Sequence, residues 1–591
     1  MKQFFGAFFG SVVGLLLATI LAVFVIIAVV KTSFSEAIKE EQETALVKSN
    51  SILKIKVEGA IVDREVENPF AHVKGLKELT DKGGLGLNTL LRKIKHAATD
   101  VKIKGIYLEM KHLESGYANI TELRDALLEF KKSGKFIYSY AEYYGQREYY
   151  LASAASKVFV NPQGALEFKG LNMSLMFYRN ALQKLGVDVQ VFRHGKFKSA
   201  VEPFLLDKMS EANRLQSETF LNSIWGTMLD GISQQRKIGK DELNKLADEL
   251  AIKDPEDALG KLVDAVSYED EVFTEMKKKL GLSENDKLNF VNADKYDGKV
   301  KSNVKLRNTQ IAVIYASGSI SGGEGGNEEI GSDRLVKAIR EARLDDKVKA
   351  IVLRVNSPGG SALASDVIWR EVILAKKAKP FVVSMGNLAA SGGYYISCAA
   401  DRIFAQPNTI TGSIGVFGLI PNLQKAFEEK LGINIDTVNT NKHSHVGSAF
   451  LPVSGMEYDY IQQSVEKVYG VFTGRVAEGR NIPVAMVDSI GQGRVWTGSD
   501  ALKIKLVDEL GGLDDAIAYA AKKAKVTEYK LTELPKQKNP LAEFLGETED
   551  DMEARLLKSK LGITYNYFTH LKNLVSMKGV QARLPFEMVI E

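Results

Sequence analysis

Residues 349–361 read KAIVLRVNSPGGS, and this stretch decides the fold class of the chain. Its β-branched apolar run predicts a buried strand, and the Pro-Gly-Gly that follows predicts a turn. Similar short apolar runs alternate along the chain with longer segments in which apolar residues recur at the helical period. Such alternation is typical of an α/β fold with parallel strands and crossover helices. The predicted strands are 311–315, 350–355, 381–384 and 402–405, and the predicted helices are 333–341 and 364–377.

The same unit occurs twice in the chain. KGIYL at residues 104–108 recurs as KAIVL at 349–353, an offset of 245 positions, and KLVD at 261–264 recurs at 505–508 with nearly the same offset. A nearly constant offset over a long stretch indicates an internal duplication. We therefore predict a first domain at 46–290, a second at 306–526, a polar connection at 285–305, and a C-terminal extension at 527–591 whose role the sequence does not reveal.

Composition narrows the classes of function. The chain has 591 residues, a net charge of only +4 and 45% hydrophobic residues, which together predict several folded domains. The near balance of charge argues against a nucleic-acid-binding protein that relies on a basic surface. The single cysteine, Cys398, excludes intrachain disulfides and cysteine-based metal clusters, and the seven histidines show no metal-hydrolase pattern. No metal or cofactor is expected.

The amino terminus predicts a membrane anchor. No charged residue interrupts the chain from Phe4 to Val30, a stretch longer than the ~20 residues that cross a bilayer core. A cleavable signal peptide would have a shorter apolar region and a cleavage site of small residues. We therefore expect residues 1–45 to form one uncleaved transmembrane helix with its juxtamembrane segment, and the large C-terminal body to lie outside the cytoplasm.

The second copy carries a candidate nucleophile that the first copy lacks. Ser391 lies in ASGGY at 390–394, between a predicted strand and a predicted helix, where a serine among small residues is accessible for attack. The amide of Gly392 and the Pro-Gly-Gly turn can stabilise an oxyanion there. At the offset of 245 the first copy has Gln146 in place of the serine and Leu-Glu-Ser in place of the turn, so it cannot perform the same acyl chemistry.

A serine nucleophile needs a base, and the candidate base lies in the first copy. No histidine occurs between Ser391 and His443, whereas residues 191–204 read VFRHGKFKSAVEPF and contain Lys198. A lysine acts as a base only if burial lowers its pKa toward neutrality, which an interface between two domains can achieve. Taken alone, a lysine is nearly always a solvated surface charge. The neighbouring Lys196 either lowers that pKa by like-charge repulsion or simply points to solvent.

These features together resemble a known family. The anchor, the duplication and four motifs are similar to the long, double-domain form of signal peptide peptidase A, also called protease IV. The resemblance covers nearly the whole chain and implies tandem duplicated ClpP/crotonase-like domains preceded by one N-terminal transmembrane helix. It also implies a dyad with Ser391 as nucleophile and Lys198 as general base. The motifs are FKSAVEPF at 197–204, NSPGGS at 356–361, ASGGY at 390–394 and TGSIG at 411–415.

The same resemblance implies further roles and a function. Ser413 would orient the Lys198 amine, and the N–H groups of Gly359 and Gly392 would form the oxyanion hole. The implied protein is a membrane-anchored serine endopeptidase that degrades cleaved signal peptides and other membrane-derived or unfolded apolar peptides. Its expected location is the bacterial cytoplasmic membrane with the catalytic body on the periplasmic side. It is expected to be a homo-oligomer, by resemblance a tetramer, with no nucleic-acid partner.

Two other classes of function stay open at this point. A crotonase-type acyl-CoA enzyme would share the fold and the oxyanion hole, but it needs neither a nucleophilic serine nor an anchor. A catalytically inactive membrane scaffold is disfavoured because both Ser391 and Lys198 are present. The sequence does not show whether these two residues meet within one chain or between chains. Cys398 is interpreted as a buried packing residue, and His443 as a residue outside the site.

Overall fold

The computed structural model describes residues 47–65, 84–296, 309–326, 329–537 and 580–584 of the chain. The predicted anchor at 4–30 lies outside these ranges. Among the helices within them, none combines the length and the apolar character that a membrane span requires.

The first repeat is built on a parallel sheet. The strands of the first half are β1 (Ser51–Val62), β2 (Leu85–Gly86), β3 (Ile103–Glu114), β4 (Phe136–Tyr144), β5 (Lys157–Leu166), β6 (Asp188–Arg193), β7 (Ala265–Val266) and β8 (Asn289–Asn292). The order across the sheet is β2-β1-β3-β4-β5-β7, and β8 also pairs with β1. The helices are α1 (Leu87–Thr99), α2 (Tyr117–Lys131), α3 (Gln146–Ala152), α4 (Arg179–Lys184), α5 (Glu202–Leu205), α6 (Glu211–Arg236), α7 (Lys240–Asp248) and α8 (Glu269–Leu280).

The second repeat has a similar large sheet. The strands of the second half are β9 (Gln310–Ser317), β10 (Ser319–Ser321), β11 (Glu329–Gly331), β12 (Val348–Ser357), β13 (Gly359–Ser361), β14 (Phe381–Ala390), β15 (Arg402–Ala405), β16 (Ile410–Gly412), β17 (Phe417–Asn422), β18 (Val495–Thr497), β19 (Glu509–Leu510), β20 (Lys530–Leu534) and β21 (Gln581–Arg583). The large sheet has the order β18-β16-β14-β12-β9-β20, and β15 pairs with β14 and β19. The helices are α9 (Ser332–Leu344), α10 (Ala362–Ala378), α11 (Gly392–Ser397), α12 (Met456–Arg480), α13 (Val484–Ile490), α14 (Gly498–Lys503) and α15 (Leu513–Lys523).

The predicted duplication is confirmed by the order and the positions of the elements. Helices α1 and α9 have 13 residues each, and they begin at the predicted offset from one another. Strands β3 and β12 are buried along most of their length, as expected for central parallel strands that are covered on both faces. The strands and helices predicted for the second repeat all occur, and most extend by one to a few residues beyond the predicted ends.

One strand at the end of each repeat lies where the sequence predicts a connection or an extension. Residues 285–305 were predicted to be a connection, yet β8 lies within them and pairs in parallel with β1. The segment from residue 527 was predicted to be a separate extension, yet β20 pairs in parallel with β9. These two strands are equivalent, since each completes the large sheet of its repeat. Both are short and partly polar, so the sequence pattern alone did not mark them as strands.

A third sheet joins the two repeats. Its strand order is β11-β10-β13-β21-β17-β6. Strand β6 belongs to the first repeat, and it pairs antiparallel with β17 of the second repeat, with Arg193 opposite Phe417. Lys198 follows β6 closely along the chain, so this pairing carries the lysine into the second repeat.

A buried ion cluster also fixes the two repeats against each other. The side chain of Arg354, on β12, is almost completely buried, and its Nε lies 2.7 Å from Asp63 Oδ1. Its Nη2 lies 2.8 Å from Glu122 Oε2, and its Nη1 donates to Ser384 Oγ. Both carboxylates belong to the first repeat. Because a buried charge is stable only when it is paired, Arg354 and these carboxylates depend on one another across the interface.

Arg354→Met is expected to destabilise the protein by about 3–5 kcal/mol, because it leaves two carboxylates buried without their partner. The matched control is Arg402→Met, which breaks an exposed ion pair with Glu509 and is expected to cost less than about 1 kcal/mol. Urea unfolding of both variants measures the difference. Equal small losses would show that the interface does not depend on Arg354.

Candidate active site

Ser391 occupies a strained turn between β14 and α11. Its φ is +55°, in the left-handed region that residues other than glycine rarely adopt. The turn is held at both ends, since Ser391 N donates to Gly412 O at 2.8 Å and Tyr395 N donates to Ser391 O at 2.8 Å. The hydroxyl donates to Gly415 O at 3.3 Å. The strand-to-helix junction predicted around the serine is therefore present.

Lys198 is held by a loop that is anchored on both repeats. The loop begins after β6, and Phe197 N donates to Gln492 O at 3.0 Å. On the other side, Gln216 Nε2 donates to Phe197 O and to Ser199 Oγ, at 3.2 Å and 2.9 Å. Gln216 lies on α6 and is fully buried. Sequence reasoning missed this glutamine because nothing in a helical pattern marks which polar residue faces inward.

The structure brings Lys198, Ser391 and Ser413 together within one chain. Lys198 Nζ lies 2.9 Å from Ser391 Oγ and 3.0 Å from Ser413 Oγ. It also lies 3.3 Å from the carbonyl oxygen of Ser413. All three side chains are completely buried. An amine between two hydroxyls and a carbonyl is positioned to exchange a proton with Ser391.

Burial lowers the pKa of the Lys198 amine. The pKa of Lys198 lies well below its ordinary value of 10.5, and desolvation of the ammonium is the cause. Lys196 is exposed, and its Nζ lies over the Phe197 ring at 5.2 Å from the centroid. Of the two alternatives for Lys196, the structure therefore favours the one in which its side chain points to solvent.

Two glycines pack directly against Lys198. A Cβ built on Gly493 would lie 2.6 Å from Lys198 Cβ, and Gly493 has a φ of +81°. A Cβ on Gly415 would lie 3.3 Å from Lys198 Cδ. The absence of a side chain at both positions lets the backbone enclose the lysine stem and exclude water from it.

The predicted oxyanion glycines lie beside each other. Gly359 has a φ of +95°, and a Cβ built on it would lie 2.7 Å from Gly392 N. The N–H of Gly359, however, donates to Ser357 Oγ at 3.1 Å. This hydrogen bond competes with the role predicted for the Gly359 amide as an oxyanion donor. The next amide along the chain, that of Gly360, lies beside a different strand.

That strand is β21, which lies between β13 and β17. Leu584 N donates to Pro358 O at 2.6 Å, and Ala362 N donates to Val580 O at 3.3 Å. Hydrogen-bonded pairs recur at every second residue of an antiparallel ladder, so the pair between these two is Gly360 with Ala582. The Gly360 amide thus points into the groove between β13 and β17, which we call the inter-strand cleft.

The equivalent region of the first repeat is filled by side chains. Gln146, at the position that corresponds to Ser391, accepts hydrogen bonds from the amides of Lys169 and Gly170. Glu148 Oε1 accepts from the amide of Leu113, where the second repeat has its Pro-Gly-Gly turn. Local side chains therefore bind the backbone amides around this position of the first repeat.

Two residues weighed from the sequence lie in other surroundings. Cys398 is buried, and desolvation raises the pKa of its thiol to about 12, so it is not a thiolate at neutral pH. His443 Nδ1 lies 2.8 Å from Glu457 Oε1. Neither residue contacts Lys198 or Ser391 through any hydrogen bond of the described chain.

Comparison with known proteins defines the class to which this fold and site belong. The model of peptidase family S49 matches residues 129–283 and 373–527, once in each repeat, and the model of Clp protease matches residues 308–411. The molecule is thus a serine protease with ClpP-like domains. The chain belongs to peptidase family S49 and has the tandem, double-domain form.

Individual relatives are similar in sequence to this chain over most of its length. It is 34% identical to the chloroplastic serine protease SPPA of Arabidopsis thaliana, over 91% of this chain and 78% of that protein. It is 38% identical to Protease 4 of Salmonella typhi, over 81% of this chain and 79% of that protein. It is 35% identical to Protease 4 of Haemophilus influenzae, over 83% of this chain and 82% of that protein.

Lys198→Met is expected to stabilise the protein at neutral pH. Between its lowered folded pKa and 10.5 the lysine is neutral when folded but protonated when unfolded, so wild-type stability rises with pH across this window. Methionine removes that penalty of about 1.4 kcal/mol per unit of lowered pKa. Thermal unfolding at pH 7 and pH 10 tests this. The advantage of the variant should shrink as pH rises, and an advantage independent of pH would contradict a neutral buried amine.

Gly493→Ala is expected to lower peptidase turnover by about 10- to 100-fold, because its methyl group displaces the Lys198 backbone and small displacements of catalytic groups are costly. Gly474→Ala is the control, since a Cβ at Gly474 meets nothing within 4 Å. Steady-state hydrolysis of an apolar fluorogenic peptide measures both. Wild-type turnover in Gly493→Ala would mean that the lysine tolerates the displacement.

Proposed function

We propose that this chain is a membrane-anchored serine endopeptidase in which Ser391 is the nucleophile and Lys198 is the general base. The observation that carries the proposal is the distance of 2.9 Å between Lys198 Nζ and Ser391 Oγ inside a fully buried site. The lowered pKa of Lys198 supports it, because a neutral amine can accept the hydroxyl proton. A crotonase-type acyl-CoA enzyme does not need a nucleophilic serine next to a lysine base.

The reaction proceeds through an acyl-enzyme. Neutral Lys198 takes the proton of the Ser391 hydroxyl as the oxygen attacks a peptide carbonyl carbon. The resulting ammonium then donates its proton to the leaving nitrogen, and water hydrolyses the ester by the same steps in reverse. Ser413 Oγ accepts a hydrogen bond from the amine and orients it toward Ser391.

Backbone amides of the second repeat stabilise the negative oxygen that forms during attack. Gly392 N lies at the start of α11, where the amides of the first turn and the helix dipole favour negative charge. The second donor comes from the Pro-Gly-Gly turn, and the competing hydrogen bond of Gly359 favours Gly360 for this role. Both donors border the inter-strand cleft.

The substrates that we propose are extended apolar peptides, above all cleaved signal peptides left in the membrane. The inter-strand cleft supports an extended substrate, because β13 and β17 hold β21 between them as a paired strand, which shows that the cleft accepts an extended segment of chain. The uncharged stretch from Phe4 to Val30 supports a catalytic body held at a bilayer surface. We place the protein in the bacterial cytoplasmic membrane, with the body on the periplasmic side.

We also propose that the protein acts as a homo-oligomer. The match of residues 308–411 to the Clp protease model supports an oligomeric assembly. The size of four subunits rests on the resemblance to double-domain signal peptide peptidase A. Because Lys198 and Ser391 lie within one chain, the oligomer is not needed to complete the dyad and would serve to enclose it.

The test uses the full chain in detergent, as wild type, Ser391→Ala and Lys198→Met, with an apolar fluorogenic peptide as substrate. Each substitution is expected to lower kcat by at least about 1,000-fold, because the dyad acts as a unit. Wild-type kcat/KM should rise with pH through the lowered pKa of Lys198 and reach a plateau below 10.5.

Lys196→Met is the matched control for the loss of a lysine, since Lys196 is exposed. It should keep the turnover of the wild type. Retained activity in Ser391→Ala would show that the nucleophile is misassigned, and a pH profile that is flat from acid to alkaline would contradict a lysine base.

A further inference from the structure

A short segment of the second repeat, the 491–494 loop, encloses Lys198 on one side. Gly493 packs so closely that a Cβ built on it would lie 2.6 Å from Lys198 Cβ. In the same loop, the carbonyl oxygen of Arg494 accepts a hydrogen bond from Ser413 N at 2.7 Å. The loop therefore contacts both the lysine and the turn that carries Ser413, so its position controls how closely protein surrounds the lysine amine.

The backbone of this loop has a conformation that must be held from outside. Gln492 has a φ of +52°, and a residue other than glycine keeps such a left-handed conformation only where surrounding contacts stabilise it. One contact comes from the segment that carries Lys198, because Phe197 N donates to Gln492 O at 3.0 Å. The amide of Gln492 forms the second contact.

Tyr469, on α12, provides that second contact. Its hydroxyl oxygen accepts a hydrogen bond from Gln492 N at 3.2 Å and donates one to Asp488 Oδ1, on α13, at 2.6 Å. Because a phenol can accept and donate at the same time, one oxygen atom joins two helices and the 491–494 loop. Tyr469 is only 6% exposed, so little water is available to replace its oxygen as the acceptor.

The ring of Tyr469 is itself held by the first repeat. The imidazole of His194 stacks on it, with the ring centroids 3.7 Å apart and the planes at 21°. His194 Nδ1 lies 2.5 Å from Glu466 Oε2, which is also on α12. His194 follows β6 directly and precedes Lys198 by four residues. The same segment of the first repeat therefore supplies the lysine and packs against the tyrosine beside it.

We infer that Tyr469 is a positioning residue of the proposed Ser391–Lys198 dyad, whose hydroxyl holds the 491–494 loop closed over Lys198. This inference rests on the proposed function, and it gives Tyr469 no contact with the substrate. In Tyr469→Phe the amide of Gln492 loses its acceptor, the loop relaxes, and water approaches the lysine amine. Desolvation then lowers the pKa of Lys198 by less than it does in the wild type.

The charged groups around Tyr469 and the loop all remain in this variant. They come from four elements: Glu466 on α12, Asp488 on α13, Arg494 in the loop and His194 after β6. Tyr469→Phe removes one oxygen atom and none of these charges. A change in the pH dependence of the reaction would therefore report how closely the loop surrounds Lys198.

The first experiment measures kcat/KM against pH for the full chain in detergent, with the apolar fluorogenic peptide. In Tyr469→Phe the midpoint of the rise with pH is expected about one pH unit higher, since one unit corresponds to about one lost hydrogen bond. Below both midpoints kcat/KM falls about 10-fold, and at the alkaline plateau the two enzymes are equal. Tyr460→Phe is the matched control and should keep the wild-type profile, because Tyr460 is on the same helix and is 67% exposed.

Two results of this assay would overturn the inference and leave the proposed dyad intact. One is a profile of Tyr469→Phe that coincides with that of the wild type. The other is a loss of activity by the same factor at every pH, which is the effect of a residue that only stabilises the fold. A wild type that does not hydrolyse the peptide would instead contradict the proposed function.

A second experiment tests the closure of the loop without any turnover. Lys198→Met is expected to raise the melting temperature at pH 7, because it removes an amine that is neutral only in the folded protein. In the Tyr469→Phe background the amine is more hydrated, so the same substitution should raise the melting temperature by less. The Tyr460→Phe background should give the full rise. An equal rise in the Tyr469→Phe background would overturn the inference, whatever the peptidase assay shows.

Discussion

The antiparallel pairing of β6 with β17 is the constraint on which the rest of the site depends. A lysine amine is neutral near physiological pH only if protein replaces the water around it. By pairing β6 of the first repeat with β17 of the second, the chain places Lys198 between the two repeats. Gly415 and Gly493 then close around its stem.

A second set of buried charged groups lies at the interface between the two repeats. Arg354 lies on the strand that leads into the Pro-Gly-Gly turn, and its partners Asp63 and Glu122 come from the first repeat. Asp63 also accepts a hydrogen bond from Asn356, at the start of that turn. The first repeat thereby positions the turn of the second as well as supplying the lysine. Around its own position equivalent to Ser391, the first repeat has Gln146 and Glu148, whose side chains bind local backbone amides.

Much of this could be predicted from the sequence, for a physical reason. Strands such as β12 are long, apolar and β-branched, so their pattern is strong, and the constant offset between the copies exposed the loss of Ser391 and of the turn in the first repeat. The difference between two copies of one domain carried more information than any motif taken alone. Lys198 was predicted on two grounds together: the serine-bearing copy has no lysine at the equivalent position, and the surrounding motif resembles that of signal peptide peptidase A.

The features that the sequence did not reveal depend on long-range contacts or on backbone direction. Strands β8, β20 and β21 are short, and their stability comes from the sheet edges that they meet. The choice between the amides of Gly359 and Gly360 depends on which way each N–H points, which composition cannot show. Gln216 is one of many polar residues on a helix, and only the folded chain shows that it holds the lysine loop.

The most direct test of this account is a titration of the Lys198 amine itself. Lysine-selective ¹³C labelling of the Cε carbons, with Lys198→Met as the reference spectrum, identifies the one resonance that belongs to Lys198. The account predicts a midpoint well below the ordinary value of 10.5, because desolvation disfavours the ammonium. A midpoint at or above 10.5 would contradict it, because the amine would then be protonated at neutral pH and could not accept the proton of Ser391.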